Sequence, residues 1–392
     1  MHGGSRTKLG IVGGALQGIE ATYLSRKARF ETVVLDRREN APARSLADSS
    51  VTLDVVKEPE KAAKILADCD AVLPALENLD ALETLDRMKG SFGGPFLFDL
   101  RAYDISCSKQ RSNEMMAKLG VPLPQPYPEC GFPAIVKPSC QSGSVGVSEV
   151  NSAAELPAAL KKVADLHDEP IIQEFVHGKS ISVEAVGNGR KARSYVTTEV
   201  VLDYNYDCKQ VLCQPDILPP AEDKVFGSYL QETAETIGLS GIMDLEGIYG
   251  PRGLRILEID ARLPSQTPAA VVAATGVNLL DELYRAVSGQ PSIAVRQPGC
   301  SSYEHFYSDG NRLIASGEKE FSHVQQPRYY EGLFGSDEMM TDYLPGRSRW
   351  HATVITHGKT PGEVLTKRKK VIAQIMRECG LEEFVDRMPE VV

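Results

Sequence analysis

No two of the eight cysteines in this chain have the CxxC spacing of a zinc or redox site, and their scatter predicts no disulfide framework. The nearest pair, Cys208 and Cys213, is expected to be two reduced, partly buried thiols. No apolar run is long enough to span a membrane, and the opening MHGGSR lacks the core of a signal peptide. These absences predict a cytoplasmic protein with no membrane partner.

Basic residues are too few for a nucleic-acid partner. Lysine and arginine total 43 against 53 aspartates and glutamates, which gives a net charge of −10, whereas nucleic-acid phosphates favour basic surfaces. The composition, 42% hydrophobic and 24% charged, is that of an ordinary globular protein. A chain of 392 residues is long enough for two or three domains.

The segment 241–269 predicts a β-hairpin with acidic side chains on one face. Residues 242–246 alternate apolar and acidic side chains, and GPRG at 250–253 predicts a chain reversal. Glu258 and Asp260 leave the same face of the returning strand, where Glu246 meets them across the hairpin. Like charges this close raise each other's pKa unless a cation binds, and such oxygen ligands suit magnesium.

A solvated hairpin with its acidic face in water is the alternative interpretation of this pattern. The residues that follow favour a ligand site instead. Arg262 and the small polar side chains of Ser265, Gln266 and Thr267 leave the sheet beside the carboxylates, where an anionic ligand would bind.

Strands alternate with helices over the first hundred residues, as in a doubly wound α/β domain. A strand at 9–12 runs into GGALQG, and a later strand at 32–35 ends in Asp36. The glycine spacing GGxxxG does not match the dinucleotide fingerprint GxGxxG and disfavours NAD, but the turn can present backbone amides to a ligand. Glu77 follows a strand at 71–74, where such sheets bind ligands. The alternative there is a helix N-terminus capped by Asn78.

A proline-rich stretch at 121–133 marks a boundary, after which a strand at 134–138 contains Lys137. The strand opens onto a Ser/Gly loop at 139–147, whose amides and hydroxyls can cradle phosphates beside the lysine ammonium. A flexible hairpin with a surface lysine is the alternative. Near the end of the chain, Thr360 as cap and Gly380 as stop predict a long helix.

In chain order, Lys109, Lys137 in IVKP, the Ser/Gly loop, the QEFV strand and the acidic hairpin resemble the ATP-grasp superfamily. Twelve residues separate Glu246 from Glu258, as in its biotin carboxylase branch, and ExDxR stands where ExNxR is usual. The resemblance implies an α/β protein with the ATP-grasp fold. Its parts would be an N-terminal doubly wound domain at 1–100, a small lid domain at 101–182, and a C-terminal α+β domain at 183–392 with the metal site.

The segments GGALQGIEATYLSRKA, AVLPALENL, KPSCQSGSVG and EIDARLPSQTP, with the YDC turn at 206–208, are similar to those of the ligases of pyrrolysine biosynthesis. The similarity covers most of residues 8–290. Those ligases join the carboxylate of 3-methyl-D-ornithine to the ε-amino group of L-lysine. The resemblance therefore implies ATP-dependent amide formation through an acylphosphate, with these amino acids and ATP as small-molecule partners, and it is compatible with a homodimer. One departure is Ala15, where the family can carry a lysine that contacts nucleotide.

The resemblance also implies five groups of site residues. The nucleotide phosphates would contact Lys109, Lys137 and Ser144, and the adenine would lie against Gln173, Glu174, Phe175 and Val176. Two magnesium ions would bind Glu246, Glu258 and Asp260. A second nucleotide or an amino acid would contact Leu16, Gln17, Asp36, Asp54 and Val55. The amino-acid pocket would consist of Glu77, Ser182, Val183, Glu184, Arg262 and Ser265.

A lysine amine must lose a proton before it attacks an acylphosphate. With a pKa of about 10.4, only about one amine in a few thousand is unprotonated at neutral pH. Asp207 and Glu184 are the candidate bases, and Arg262 suits the carboxylate or the acylphosphate. The alternatives are another ATP-grasp ligase, a carboxylase that uses bicarbonate, and a regulatory nucleotide-binding protein without chemistry.

Overall fold

The computed structural model describes residues 6–141 and 143–389. Met1 to Ser5, which form most of the MHGGSR segment, and Ser142 of the predicted phosphate loop lie outside the described residues.

The N-terminal part is a four-stranded parallel sheet of order β3-β2-β1-β4, which confirms the predicted doubly wound architecture. Its elements are β1 (Lys8–Val12), α1 (Leu16–Lys27), β2 (Glu31–Asp36), β3 (Ser49–Thr52), α2 (Pro59–Leu66), β4 (Ala71–Pro74) and α3 (Leu79–Met88). Helix α1 packs on one face with apolar residues of the C-terminal part, whereas α2 and α3 cover the other face. The carboxyl ends of all four strands therefore open at one edge.

A small antiparallel sheet of order β6-β5-β7 forms the middle of the chain. The elements between the first sheet and the third are α4 (Leu100–Ser106), α5 (Lys109–Lys118), β5 (Ala134–Pro138), β6 (Ser148–Val150), α6 (Leu156–Asp165) and β7 (Pro170–Glu174). Val136 and Val150 pack against Ala159 and Val163 of α6 in a small core of their own. This sheet carries the loop that contains Gly143 to Val147.

A twelve-stranded, largely antiparallel sheet forms the rest of the chain, with a main path of order β13-β12-β8-β10-β11-β14-β18-β17-β16. Its strands are β8 (Lys179–Asn188), β9 (Ala192–Ser194), β10 (Thr198–Leu202), β11 (Cys208–Cys213), β12 (Ser240–Gly250), β13 (Gly253–Asp260), β14 (Cys300–Asp309), β15 (Arg312–Ala315), β16 (Arg328–Glu331), β17 (Glu338–Thr341), β18 (Arg349–Gly358) and β19 (Glu383–Asp386). Its helices are α7 (Pro220–Thr236), α8 (Thr267–Thr275), α9 (Leu279–Val287), α10 (Glu318–Phe321) and α11 (Pro361–Cys379). The predicted hairpin is β12 and β13, at one edge of this sheet.

The strands and hydrogen bonds do not coincide with the expected limits of the lid domain. Residue 182 falls inside β8, so a division there would cut a continuous strand that starts at Lys179. At the other end, α4 bonds to the hairpin, since the Ser106 hydroxyl accepts from the Ala261 backbone N–H at 3.0 Å. The Pro122 carbonyl likewise accepts from the Ile256 backbone N–H of the hairpin at 2.8 Å. Helix α5, between them, packs Met116 against the core of the hairpin, although the Lys109 backbone N–H donates to Ser139 after β5. A lid of about 123–178 fits the hydrogen bonding better than 101–182, and the division into three domains stays a prediction.

Several local predictions are confirmed. Helix α11 is capped by the Thr360 hydroxyl and ends at Gly380, whose φ of +65° is the left-handed conformation that glycine adopts freely. The Asn78 side chain caps α3, as the alternative interpretation of that segment proposed. All eight cysteines are free thiols. None of the helices within the described ranges is long and apolar enough to cross a membrane.

Glu20 of α1 is a carboxyl group buried between the N-terminal part and β14, where its Oε1 accepts a hydrogen bond from the Tyr303 hydroxyl. Burial raises its pKa from the usual 4.5 to about 8. The folded state therefore holds this proton more tightly than the unfolded chain does, so the associated stability is present below pH 4.5 and is lost as the pH rises through 8.

We expect the free energy of unfolding to fall by up to about 1.4 kcal/mol per pH unit between pH 5 and 8 because of Glu20. Glu20→Gln should remove the Glu20 part of the slope, since an amide does not titrate, and leave the part that other buried carboxyls contribute. Urea unfolding at several pH values measures it, with the exposed Glu60→Gln as control. An unchanged slope in Glu20→Gln would contradict this assignment.

Candidate active site

Three adjacent strands place acidic side chains in two rows on one face of the large sheet. In the first row, Glu246 of β12 lies opposite Ser182 of β8 and Glu258 of β13. The second row, two residues along, sets Asp244 between Glu184 and Asp260. Side chains directly opposite each other in an antiparallel sheet have Cβ atoms about 5 Å apart. Five carboxylates are thereby concentrated on one small surface.

Two lysines face the first row. The Lys109 ammonium, at the start of α5, lies 2.8 Å from Glu258 and donates to the Gln141 carbonyl at 2.7 Å. The register between β12 and β13 shifts after Glu246, so Leu257 is an extra residue, and its carbonyl accepts from the Lys137 ammonium at 3.3 Å. Such bulges redirect groups at functional sites. The two lysines therefore meet the hairpin at the same point.

The charges of the two rows are not balanced by these lysines. Burial, together with Glu258 and Asp260, raises the pKa of Glu246 to about 8, and burial raises that of Asp260 to about 6. Glu258 is the exception: although burial opposes it, Lys109 lowers its pKa. A further cation, in addition to the two lysines, would favour the ionised carboxylates of the first row.

Within residues 6–141 and 143–389, no three His, Cys, Asp or Glu side chains form a ready-made cage for an ion. The predicted convergence of Glu246, Glu258 and Asp260 on magnesium therefore stays a prediction, with Asp260 in the second row, two residues from Glu258. Magnesium, however, usually binds one or two carboxylates and completes its shell with water and substrate phosphates. The Glu246–Glu258 pair, with its excess negative charge and two lysines for phosphates, fits that arrangement.

Arg262 connects the second row with the N-terminal part. Its Nε lies 2.6 Å from Glu77 and its terminal nitrogen 3.2 Å from Asp260. Gln17 of α1 also donates to Glu77, at 2.7 Å. Although burial opposes it, Asp260 and Glu77 raise the guanidinium pKa further above its ordinary value. This ion pair therefore links the hairpin with the first sheet.

A cavity of about 450 Å³ lies on the far side of Arg262 and is called here the N-terminal cavity. It brings together eight residues predicted from the sequence for two different roles, namely Leu16, Gln17, Asp36, Asp54, Val55, Glu77, Arg262 and Ser265. Its wall also includes Gly143 of the predicted Ser/Gly loop, and Arg37, Arg38 and Glu318, which the sequence did not indicate. One cavity is thus lined by residues of the N-terminal part, the lid loop and the C-terminal part.

The first glycine turn is held by Asp36. One carboxylate oxygen accepts from the Gly14 backbone N–H at 2.7 Å, and the other accepts from the Arg38 backbone N–H at 2.7 Å. The Gly14 amide is therefore not available to a ligand, contrary to the simplest form of the prediction. Helix α1 has no side-chain cap at Ala15, so its first-turn amides at the cavity suit an anion.

The strand predicted to line the adenine ends earlier than expected, since β7 stops at Glu174. Gln173 pairs within the small sheet, Glu174 donates its backbone N–H to Gln125, and Phe175 donates its own to Pro133. The backbone N–H of Val176 donates to none of the described residues. Among these four residues, Val176 is the one whose backbone N–H is available to bond the adenine ring.

Ser144 and Val183, two of the predicted residues, have other contacts in the structure. Ser144 of the loop donates its hydroxyl to the Tyr206 carbonyl at 2.9 Å, which holds the lid against the YDC turn. The Val183 side chain lies on the opposite face of β8, in an apolar core with Ile181 and Leu245. The side chain of Val183 therefore points away from the acidic face, because residues alternate between the faces of a strand, and its substrate role stays a prediction for the backbone.

Asp207 was predicted as a base, but it supports α10. Its Oδ2 accepts from the Lys319 backbone N–H at 3.0 Å, and a Cβ on Gly317 would lie 2.1 Å from the same oxygen. It is not among the residues that line the N-terminal cavity. Burial raises the pKa of Asp207 to about 6 and that of Glu184 to about 7. Of the two predicted bases, Glu184 lies on the acidic face.

Comparison with known proteins agrees with this geometry. Residues 112–236 match the family model for the C-terminal part of D-Ala–D-Ala ligases. The chain is similar to the 3-methyl-D-ornithine–L-lysine ligase of Methanosarcina barkeri, with 39% identity over 80% of this chain and 83% of that protein. It is also similar to the ligase of the same name from Methanosarcina acetivorans, with 38% identity over 87% of this chain and 93% of that protein.

A solved structure shows the fold. The biotin carboxylase domain dimer of Hydrogenobacter thermophilus 2-oxoglutarate carboxylase, in complex with MgADP, ADP and bicarbonate, superposes with a TM-score of 0.72. The alignment covers 93% of this chain and 89% of that chain, at 16% sequence identity. The ATP-grasp fold expected from the sequence is confirmed.

Proposed function

The chain belongs to the family of 3-methyl-D-ornithine–L-lysine ligases within the ATP-grasp superfamily, and from this premise we propose how its site performs the reaction. The enzyme is an ATP-dependent carbon–nitrogen ligase of pyrrolysine biosynthesis. It activates the carboxylate of 3-methyl-D-ornithine as an acylphosphate, which the ε-amine of L-lysine then attacks. The observation that carries this proposal is the acidic double row, which has Lys109 and Lys137 at one end and Arg262 at the other.

Phosphoryl transfer occurs at the lysine end of the rows. Lys109 and Lys137 bind the nucleotide phosphates, the Val176 backbone N–H donates to the adenine, and Ser144 closes the loop over them. Glu246 and Glu258 would hold magnesium, and Asp260 would be available to a second ion. When bound, the ions draw charge from the phosphates that separate in the transfer. The ammonium groups of Lys109 and Lys137 also stabilise the phosphate charge, through direct ion pairs.

The diamino acid lies over Ser182 and Glu184. Glu184 is fully buried and its Oε2 has no hydrogen-bond partner among the described residues, so it can bind a substrate ammonium. Arg262 binds the carboxylate that is to be activated. The N-terminal cavity then receives lysine, because it opens beside Arg262 and lets an ε-amine approach the acylphosphate from the side opposite the nucleotide. The closed loop at 143–147 excludes water, which would hydrolyse the acylphosphate.

Product analysis tests this function. Incubation with ATP, magnesium, 3-methyl-D-ornithine and lysine should give one ADP and one amide product, whose mass equals both amino acids less one water. ADP release should require methylornithine, and lysine alone should support none. Bicarbonate-dependent ADP formation without an amide product would support the carboxylase alternative instead. A cytoplasmic location and a homodimer stay predictions.

A further inference from the structure

Glu318 is a carboxylate in the N-terminal cavity to which no role has been given above. It is the first residue of α10 and lies in the wall beside Arg262, Ser265 and Gly143 of the lid loop. Its Oε2 accepts from the Ser265 hydroxyl at 3.1 Å and from the Gln266 amide at 2.8 Å. Its Oε1 accepts no hydrogen bond from the residues that the structure describes, which leaves one oxygen for a ligand.

The other carboxylates of the cavity already have cations. Asp36 pairs with Arg38 at 3.2 Å, Asp54 with Lys57 at 3.8 Å, and Glu77 with Arg262 at 2.6 Å. Glu318 has no lysine, arginine or histidine within ion-pair distance in the described chain. A cationic ligand that enters the cavity would therefore find its free partner at Glu318.

The protein holds Glu318 in place at a conformational cost. Gln266, which donates to it, has φ +68° and ψ −57°, and the Thr267 N–H bonds back to the Ser265 carbonyl at 2.8 Å. A γ-turn of this hand is rare and strained, and such strain typically costs about 1–3 kcal/mol. Asp207 fixes α10 from the other side through the Lys319 backbone. The two contacts position the Glu318 carboxylate from both directions.

We propose that Glu318 binds the ε-ammonium of the lysine substrate and accepts its proton, with Asp207 as a positioning residue. This inference rests on the proposed function. The ε-ammonium gives one proton to Glu318, and the freed lone pair forms the C–N bond to the acyl carbon. The C–O bond to phosphate breaks with its electron pair, and phosphate leaves. The second nitrogen proton passes to the phosphate as hydrogen phosphate, and Glu318 returns its proton to water.

The test separates activation from attack with hydroxylamine, a nucleophile that is uncharged at neutral pH. Wild-type enzyme with ATP, magnesium and methylornithine should convert hydroxylamine to a hydroxamate without lysine. Glu318→Gln keeps an oxygen for Ser265 but loses the charge. It should form hydroxamate at the wild-type rate, whereas kcat/KM for lysine should fall about 10²- to 10³-fold. The loss should shrink as pH rises towards 10, because more lysine then arrives uncharged.

Glu320→Gln is the matched control. It lies on the same short helix and pairs with His351 at 3.2 Å, outside the cavity lining, so lysine kinetics should not change. Equal losses of hydroxamate and lysine product in Glu318→Gln, or unchanged lysine kinetics, would overturn the proposal. A wild-type enzyme that forms neither product would instead refute the proposed function. Thermal unfolding of each variant shows whether a loss arises from folding.

Discussion

Glu258→Gln is expected to lower methylornithine-dependent ADP formation about 10²- to 10³-fold. Folding should change less than activity, because Asp260 and Glu246 remain near Lys109 and one source of repulsion on Glu246 is removed. Glu258 is the carboxylate that both lysines face, and Lys109 lies 2.8 Å from it. Its removal takes away the magnesium ligand and leaves the Lys109 ammonium without its partner, so phosphate charge is poorly stabilised in the transfer. Initial ADP release at saturating substrates measures the effect.

Glu199→Gln provides the control for that variant. Glu199 lies on β10 of the same sheet and pairs with Lys179 at 3.2 Å, near the surface. Loss of a surface pair of this kind costs at most about 1 kcal/mol and should leave ADP release near the wild-type rate. Normal turnover in Glu258→Gln would exclude the acidic hairpin from the chemistry.

Arg262→Met should have the largest combined effect on stability and activity. Arg262 is only 15% exposed and neutralises Glu77 and Asp260 together, so its loss leaves both carboxylates partly buried without a cation. Removal of one partner from such a pair costs about 3 kcal/mol or more. Activity should fall about a hundredfold or further, because the guanidinium also binds the substrate carboxylate. Urea unfolding and ADP release measure the two effects.

A second substitution distinguishes those two roles. Adding Glu77→Gln to Arg262→Met removes one of the uncompensated charges and should restore part of the stability, but not the activity. Arg255→Met is the control on the same hairpin, since within the described part of the chain its side chain donates to backbone carbonyls alone. Recovery of activity with stability in the double variant would show that Arg262 acts only through folding.

The sequence predicted the hairpin because its cause is local. Alternation along a strand fixes which side chains share a face, and the turn at 250–253 fixes the partner strand, so an acidic hairpin followed directly. The pairing of Glu246 with Glu258 did not follow, because the turn register alone would set Glu246 opposite Leu257. Asp244 was missed although the same alternation places it beside Glu246. The bulge at Leu257 was not predictable, since nothing in the composition there requires an extra residue.

The N-terminal cavity depends instead on contacts between distant segments. Glu77, Arg262 and Glu318 come from three parts of the chain, and no periodicity joins them. The resemblance to ATP-grasp ligases indicated Glu77 and Arg262, but similarity to that family fades after residue 290, which left Glu318 without a signal. The contact of Asp207 with α10 was not predictable for the same reason, since its partner, the Lys319 backbone, lies 112 residues away.

Transfer of oxygen from substrate to phosphate tests the central claim most directly. With ¹⁸O in both carboxylate oxygens of 3-methyl-D-ornithine, the acylphosphate route predicts one ¹⁸O atom in each inorganic phosphate released during amide formation, read by mass spectrometry. The amide should keep the other atom. Phosphate free of ¹⁸O, with the amide still formed, would contradict the account.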